Sequence, residues 1–379
     1  MTTTTPLHVQ ILSIPAASQH DSPLFGMLPG EVRSYIFSLA LADYADASPD
    51  KQYEAETCYK RPHYFAPRRS DTALLSTCRA AYAECWFLPF VLQEQTHWLT
   101  SQDRAPPEYN VYEHEPYAVQ FHSLKSPLQQ IHDQRGANET IEIESLRAFA
   151  QMYRLKEDAL ALLLQTPHLH PRRVTLTIRH ADWWFWEDDE PLRFSGEWIE
   201  DVSRVLPSSV REFYIELETL ERKKKQLDSI AKQMRERWFF KRTDGAALYA
   251  DVTGGNAEVS RWSGTSTWHG RRWVRDETES GRIDYYVLCI PFRLQHVVER
   301  GGGSVSDHAR QAAQGDIFDE NKFNLHLPGQ SRIGGLGYVY VYTGDEEEDE
   351  DDDDEDEEEE GEEEDDDMSY NGSNSDDEE

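Results

Sequence analysis

The sequence predicts an α+β protein: a small N-terminal helical module, a mixed α/β domain after it, and a disordered acidic tail at the C-terminal end. Three observations carry this. Apolar residues recur at helical spacing over Leu24–Leu41 and again over Leu74–Trp86. Between residues 145 and 295 the hydrophobic period switches between that of a strand and that of a helix. Residues 345–379 hold 26 Asp or Glu and no Lys or Arg, so they repel one another and have almost nothing to bury.

Residues 1–23 read as a disordered N-terminus, Thr-rich and then mixed, with one short apolar piece from Val9 to Ile14. Residues 24–100 form the helical module. Its first helix starts at Leu28-Pro29-Gly30-Glu31, where Pro29 lacks only an N–H that would have no partner and Glu31 sits at the positive end of the dipole. Val32, Tyr35, Ile36, Leu39 and Ala40 share one face. Phe37 and Leu41 fall on another, so this helix has apolar surface for two neighbours. A second helix is capped by Asp71-Thr72, carries Leu74, Leu75, Cys78, Ala81, Tyr82, Cys85 and Trp86 on its apolar face, and stops at Pro89. A third closes around Trp98.

Leu28-Pro29-x-Glu31-Val32-x-x-x-Ile36-Phe37, followed by Leu74-Leu75-x-x-Cys78-Arg79-x-x-Tyr82-x-Glu84, resembles the F-box pattern in its fungal F-box-like form. The resemblance implies docking on the Skp adaptor of a cullin-RING ubiquitin ligase, with the rest of the chain holding a protein substrate. It further implies that Leu28, Pro29, Glu31 and Ile36, with Leu75, Cys78 and Arg79, face that adaptor. An F-box joins its first two helices by a short turn, whereas here 28 residues, Asp43 to Ser70, intervene. Such an insertion adds little closure entropy. Docking then depends on whether the loop lies across the adaptor-facing surface.

Residues 101–144 have weak periodicity and read as a connection containing a domain boundary. The α+β domain spans 145–295. A helix is expected from Ser145, with Leu146, Phe149, Ala150 and Tyr153 on one face, and another over Asp158–Gln165. Val174, Leu176 and Ile178 then alternate with polar residues as a strand, and Phe213, Ile215 and Leu217 do the same. Helices are expected over Gly196–Leu206 and Leu220–Trp238, and shorter strands near Ala247–Asp251, Glu258–Trp262 and Ile283–Pro291. The first two strand–helix units are spaced like a degenerate leucine-rich repeat, without a fixed period beyond two copies. Residues 296–344 read as a linker, Gly301-Gly302-Gly303 being flexible in character, with a last strand at 336–342.

The chain has 379 residues and a net charge of −34. Setting aside the 26 acids of the tail leaves 46 acids against 38 bases, so the body carries only a small negative charge. No stretch approaches 18 apolar residues, which predicts no membrane span, and the Thr-rich start lacks the pattern of a secretory signal. Cys58, Cys78, Cys85 and Cys289 do not form a disulfide framework. The expected location is intracellular, in cytoplasm or nucleus.

No phosphate-binding, zinc-protease, nucleophile-elbow, C-x-x-C or dinucleotide signature occurs. The sequence therefore predicts no catalytic residues, no cofactor and no metal; Cys58 and His63 are near metal spacing but lack a second pair. Two clusters remain. Trp183, Trp184 and Trp186 stand among acids from Asp182 to Glu190, suiting a recognition loop, aromatics packed under a sheet edge, or acid/base chemistry. Arg261 and Trp262, followed by Trp268, Arg271, Arg272, Trp273 and Arg275, interleave base and aromatic, suiting nucleic acid, an acidic peptide such as the chain's own tail, or Arg stems covering Trp faces. The acidic body argues against nucleic acid. The expected function is thus a non-catalytic, F-box-like interaction protein with a Skp-type adaptor and a protein substrate as partners. The alternative is an acidic-tail protein that binds histones or other basic partners, with a purely structural helical module.

Overall fold

The computed structural model describes residues 7–109, 122–136, 140–315, 323–327, 330–332 and 338–340. The chain divides into two units, residues 1–328 and 329–379. The acidic stretch 345–379 lies outside the described residues. No helix among those described is long and apolar enough to cross a membrane.

The first residues described are not loose. Leu7–Leu12 form α1, anchored by the His8 ring stacked on Trp86 at 4.9 Å. A turn at Pro23–Met27 leads to Pro29, the N-cap of α2, Gly30–Ala40. Phe37 and Leu41 of α2 are sealed against Cys85, with Leu74, Leu75, Leu88 and Leu92 around them. The insertion that follows is clamped at both ends, because β1 (Asp43–Ala45) pairs antiparallel with β2 (Arg68–Ser70). The expected second helix is broken. A 3-10 turn at Ala73–Ser76 gives way to an extended Cys78, whose Sγ accepts the Ala81 N–H and caps α3, Arg79–Cys85. After α4, Leu88–Leu92, the region around Trp98 is strand β3, Gln95–Leu99, rather than a third helix.

That strand removes the expected domain boundary, since β3 is the first strand of the main sheet. Through α5 (His122–Arg135) the chain enters β4, Ile143–Ala150, which runs parallel to β3. Leu124, Leu128 and Ile131 of α5 are buried at helical spacing, so residues 101–144 include packed structure as well as connection. The helix expected from Ser145 is this strand. Its apolar residues suit a helix face, but Leu146, Ala148 and Ala150 also alternate with Ser145, Arg147 and Phe149, and pairing on both sides decides for the strand.

Helices α6 (Met152–Lys156) and α7 (Ala159–Leu164) lead to β5, Pro171–Ile178, and α8, Trp198–Val205, leads to β6, Glu212–Leu220. Both strands continue the parallel run. Then come α9 (Lys224–Arg237), β7 (Phe239–Lys241), β8 (Ala247–Ala250), β9 (Glu258–Thr265), the short hairpin β10–β11 (Thr267–Trp268 and Arg271–Arg272) and β12 (Arg282–Leu294). The eight-stranded sheet runs β3-β4-β5-β6-β12-β8-β7, with β9 also on β12. Strand direction changes at β12, which is antiparallel to β6, β8 and β9.

The stretch expected as a linker instead carries α10 (Gln295–Arg300) and α11 (Asp307–Gln314). Gly302 takes the left-handed turn between them at φ 84°, and a Cβ on Gly303 would meet the Asp251 carboxyl at 2.6 Å. These glycines are required by a tight passage, not by flexibility. In the second unit, β13 (Gln330–Arg332) pairs antiparallel with β14 (Tyr338–Tyr340), which matches the strand expected near 336–342.

One sheet face, bearing Leu146, Leu176, Ile215, Leu217 and Ile290, joins the apolar sides of the helices in one continuous core. The other face carries Arg147, Thr177, Arg179, Glu216, Glu218 and Tyr285. It is also covered, because Tyr59 and Tyr64 of the 43–70 insertion pack on Trp98 and Phe149.

Candidate functional site

Two places stand out, and in each the polarity is the reverse of what its surroundings favour. The first is α2. With Phe37 and Leu41 turned inward, the opposite face leaves Val32, Tyr35, Ile36 and Leu39 in solvent, at 42%, 65%, 37% and 63% exposure, and Met27 in the preceding turn is exposed too. The helix is held rigid beneath this face. Arg33 donates to both carboxylate oxygens of Glu84 on α3, at 3.0 and 2.9 Å, and to the Leu28 carbonyl at 2.7 Å.

The residues expected to face an adaptor divide. Pro29, Glu31, Ile36 and Arg79 are exposed, and Leu28 and Cys78 are half-buried. Leu75 is the departure, since it packs toward Phe37, Leu41 and Cys85 in the module's own small core. Cys78 is committed to its helix-capping bond.

The second place lies on the covered, polar sheet face. A cavity of about 310 Å³ opens just beyond the carboxyl ends of β5 and β6, beside the point where direction changes at β12. Ligands of open α/β sheets bind at such positions. The insertion forms one wall with Cys58, Lys60 and Arg61, and the sheet supplies Arg179, His180, Glu218 and Tyr285. Trp262 of β9 closes a side, its ring stacked on Tyr285 at 4.3 Å.

Glu218 organises this cavity. Its carboxylate accepts from Trp262 Nε1 at 3.0 Å and from the His180 backbone N–H at 3.3 Å, and Arg61 Nη1 stands 3.5 Å away. Arg179 is sealed in a two-pronged pair with Asp182, at 2.6 and 2.9 Å. Arg147 bridges Glu94, Thr177 and Glu216. Burial alone would raise the Glu216 carboxyl, but Arg61 and Arg147 hold it below its usual range. Burial likewise favours the protonated Asp276, yet Arg275 and Arg222, with His180 nearby, keep it well below the usual carboxylate range. The His180 imidazole Nε2 is 3.9 Å from Asp276, too far for a hydrogen bond.

The two Trp clusters meet. Trp186 lies 5.1 Å from Trp268 and 4.4 Å from Trp273, and Arg104 covers the Trp186 and Trp268 rings. Trp183 is buried, donating to the Glu218 carbonyl at 2.8 Å, and Trp184 is half-buried. These side chains form a wall, with the edge of Trp268 on the cavity. Their acids are largely occupied: Asp182 by Arg179, Asp189 by Arg222 and Lys223. Arg271 is exposed over Trp273, and Arg272 pairs with Glu277. The β10–β11 hairpin turns through His269 and Gly270, both at positive φ, the two-residue turn whose twist suits a strand pair.

Cys58 meets His269, with Sγ 3.2 Å from Nε2. Burial pushes that thiol up, which is the opposite of what a thiolate nucleophile needs. No group of three or more metal-binding side chains occurs among the described residues.

Sequence reasoning did not single out Arg61, Arg179, His180, Glu218 and Tyr285, whereas Trp262 belongs to the Arg/Trp cluster it did single out. A signal was present, since Arg179-His180-x-Asp182 follows directly on an alternating strand. What concealed the rest is that the residues alternating with Phe213, Ile215 and Leu217 read only as the polar side of a half-buried strand. No family model, curated protein or solved structure matches the chain.

Proposed function

We propose that this protein is a non-catalytic interaction subunit that presents α2 to a helix of a Skp-type adaptor and holds a protein substrate with the rest of its chain. One observation carries the reading: Val32, Tyr35, Ile36 and Leu39 form an apolar surface left in water on a helix otherwise anchored by Phe37 and Leu41. Exposed apolar patches of this kind mark partner sites, and residues at i, i+3, i+4 and i+7 are the anchors of helix-in-groove recognition. The insertion does not oppose docking, because its Tyr59 and Tyr64 sit on the sheet and α2 keeps its outer face open. The likeness of Leu28-Pro29-x-Glu31 and Cys78-Arg79 to an F-box supplies the choice of adaptor.

The test is a pull-down of purified full-length chain with a Skp adaptor. Wild type is expected to retain it, while Leu28→Ala/Pro29→Ala and Ile36→Asp lose it with unchanged far-UV circular dichroism. A wild-type chain that captures no adaptor, or an Ile36→Asp chain that captures it as well as wild type, rejects the reading.

A further inference from the structure

We infer that the stacked rings of His132 and His168 form a proton-operated latch, which keeps the last turns of α5 closed near neutral pH and lets them open in mild acid. The pair joins two elements distant in sequence. His132 lies in the last turn of α5, and His168 in the turn that leads into β5. Their ring centroids are 3.9 Å apart, with 18° between the planes. His168 has a left-handed backbone, φ 62°, a conformation that a residue with a side chain keeps only where its surroundings fix it. The same two rings line a cavity of about 150 Å³, together with Leu128 and Ile131 of α5 and with Ile141 and His170 on the sheet side. The rings meet face to face, and no metal-binding group of three forms there among the described residues.

Neutral imidazoles can stack, whereas two imidazolium rings at this distance repel. Little around them cancels that repulsion. Among the described residues, the facing acids are Asp133 of α5 and Glu142 at the approach to β4. Asp133 also accepts from Gln129 at 2.8 Å, and Glu142 is engaged by Arg172 at 2.6 Å and Arg211 at 3.4 Å. His170 stands beside His168 as a third ring, and Arg135, the other base in the last turn of α5, lies over the Phe87 ring. Burial holds His168 below the usual imidazole range, and the charge of His132 adds to this; burial and then His168 do the same to His170. A lowered imidazole means that the folded arrangement resists the proton. The latch is therefore whole above about pH 6.5, the unfolded value, and weakens as pH falls below it.

What yields is the end of α5. Leu124, Leu128 and Ile131 dock the helix on the main core. Pro127 removes one N–H from its hydrogen bonding. The bond that closes the helix, from the Gly136 N–H to the His132 carbonyl at 3.0 Å, belongs to a latch residue itself. Opening admits water to Leu128 and Ile131 through the cavity. α2 contributes none of these residues, so this inference is independent of adaptor docking.

The experiment follows the full chain by NMR titration of the histidine rings and by amide exchange between about pH 7.5 and pH 5.5. His132→Gln is expected to raise the titration midpoint of His168 by about half a unit, and His168→Asn to raise that of His132 similarly, as two charges about 4 Å apart require. Asn is chosen because it accepts a left-handed backbone. With the intrinsic effect of pH on exchange removed, wild-type amides of residues 129–135 are expected to open about tenfold more readily at the lower pH. Either variant should lose most of that response. Both variants keep His97, so its effect on global stability is common to all three chains. Midpoints that stay in place when the partner ring is removed overturn the inference. So does a wild-type α5 that opens alike at both pH values, or a variant whose response equals that of wild type.

Discussion

The outer face of α2 and the covered face of the sheet invert each other. On α2, Val32, Tyr35, Ile36 and Leu39 stand in water, where oily side chains cost solvation. Under the insertion, Arg61, Arg179 and Glu218 stand out of water, where charges cost more, and Arg147 and Glu216 are half-buried beside them. Neither arrangement serves stability, and each has a rigid support behind it. For α2 the support is Phe37, Leu41 and the Arg33–Glu84 pair. For the sheet face it is the ion-pair ladder and the stacked Trp98–Phe149 rings, 4.2 Å apart. Departures that a fold holds in place are where function is to be sought.

The comparison breaks most sharply at Asp182. Asp182→Ala leaves the sealed Arg179 guanidinium without its carboxylate, and a loss of about 3–5 kcal/mol is expected in urea unfolding. A loss below about 1 kcal/mol would mean that water reaches this face and that the pair is not buried in solution.

His97 lies on β3, the strand that joins the two regions. Burial pushes its imidazole down to about 4 from 6.5. Between those values the unfolded chain binds the extra proton, so stability is full above pH 6.5 and is lost as pH falls toward 4, by about 3 kcal/mol in all. His97→Gln should flatten that part of the stability profile, and an unchanged slope would show that the ring is hydrated in solution. Coincident acid unfolding of helices and sheet would also show that the module and the sheet fold as one body.

Phe37→Ala tests the support behind the exposed helix. A cost of about 3 kcal/mol is expected, at the low end for a buried Phe because the surrounding cluster is small. Amide exchange should quicken in α2 before it does in the sheet; uniform exchange would argue that the module has no separate opening. The smallest effect belongs to the outer face. Val32→Ser with Leu39→Ser should change stability by no more than about 0.5 kcal/mol, measured in urea. A clear loss would mean that this face is covered in solution by the chain's own residues, and adaptor docking would lose its surface.

Much of the element order was legible. The α2 start at Pro29, the β5 and β6 alternations and the α9 stripe Leu227, Ile230, Ala231 and Met234 all carry their period in the sequence. The failures share a cause. Residues 143–150 have an apolar pattern that fits two periods, residues 95–99 hold too few apolar side chains to show one, and only pairing between distant strands decides both. The candidate site was legible in part. Trp268 was recognised as unusual, but its partner Trp186 stands 82 positions away and Arg61 belongs to a loop without periodicity.

The sequence by itself determined that α2 would be amphipathic on two sides and that charge and oil would alternate along β6, because both follow from side-chain spacing on a regular backbone. Which side of each element meets water is a different matter. It depends on what else the chain brings to that side, and the insertion between β1 and β2 could not announce from its composition that it would cross to the sheet. Tertiary structure alone turned a stripe of apparently solvated acids into the wall of a cavity and left the oily side of a helix uncovered.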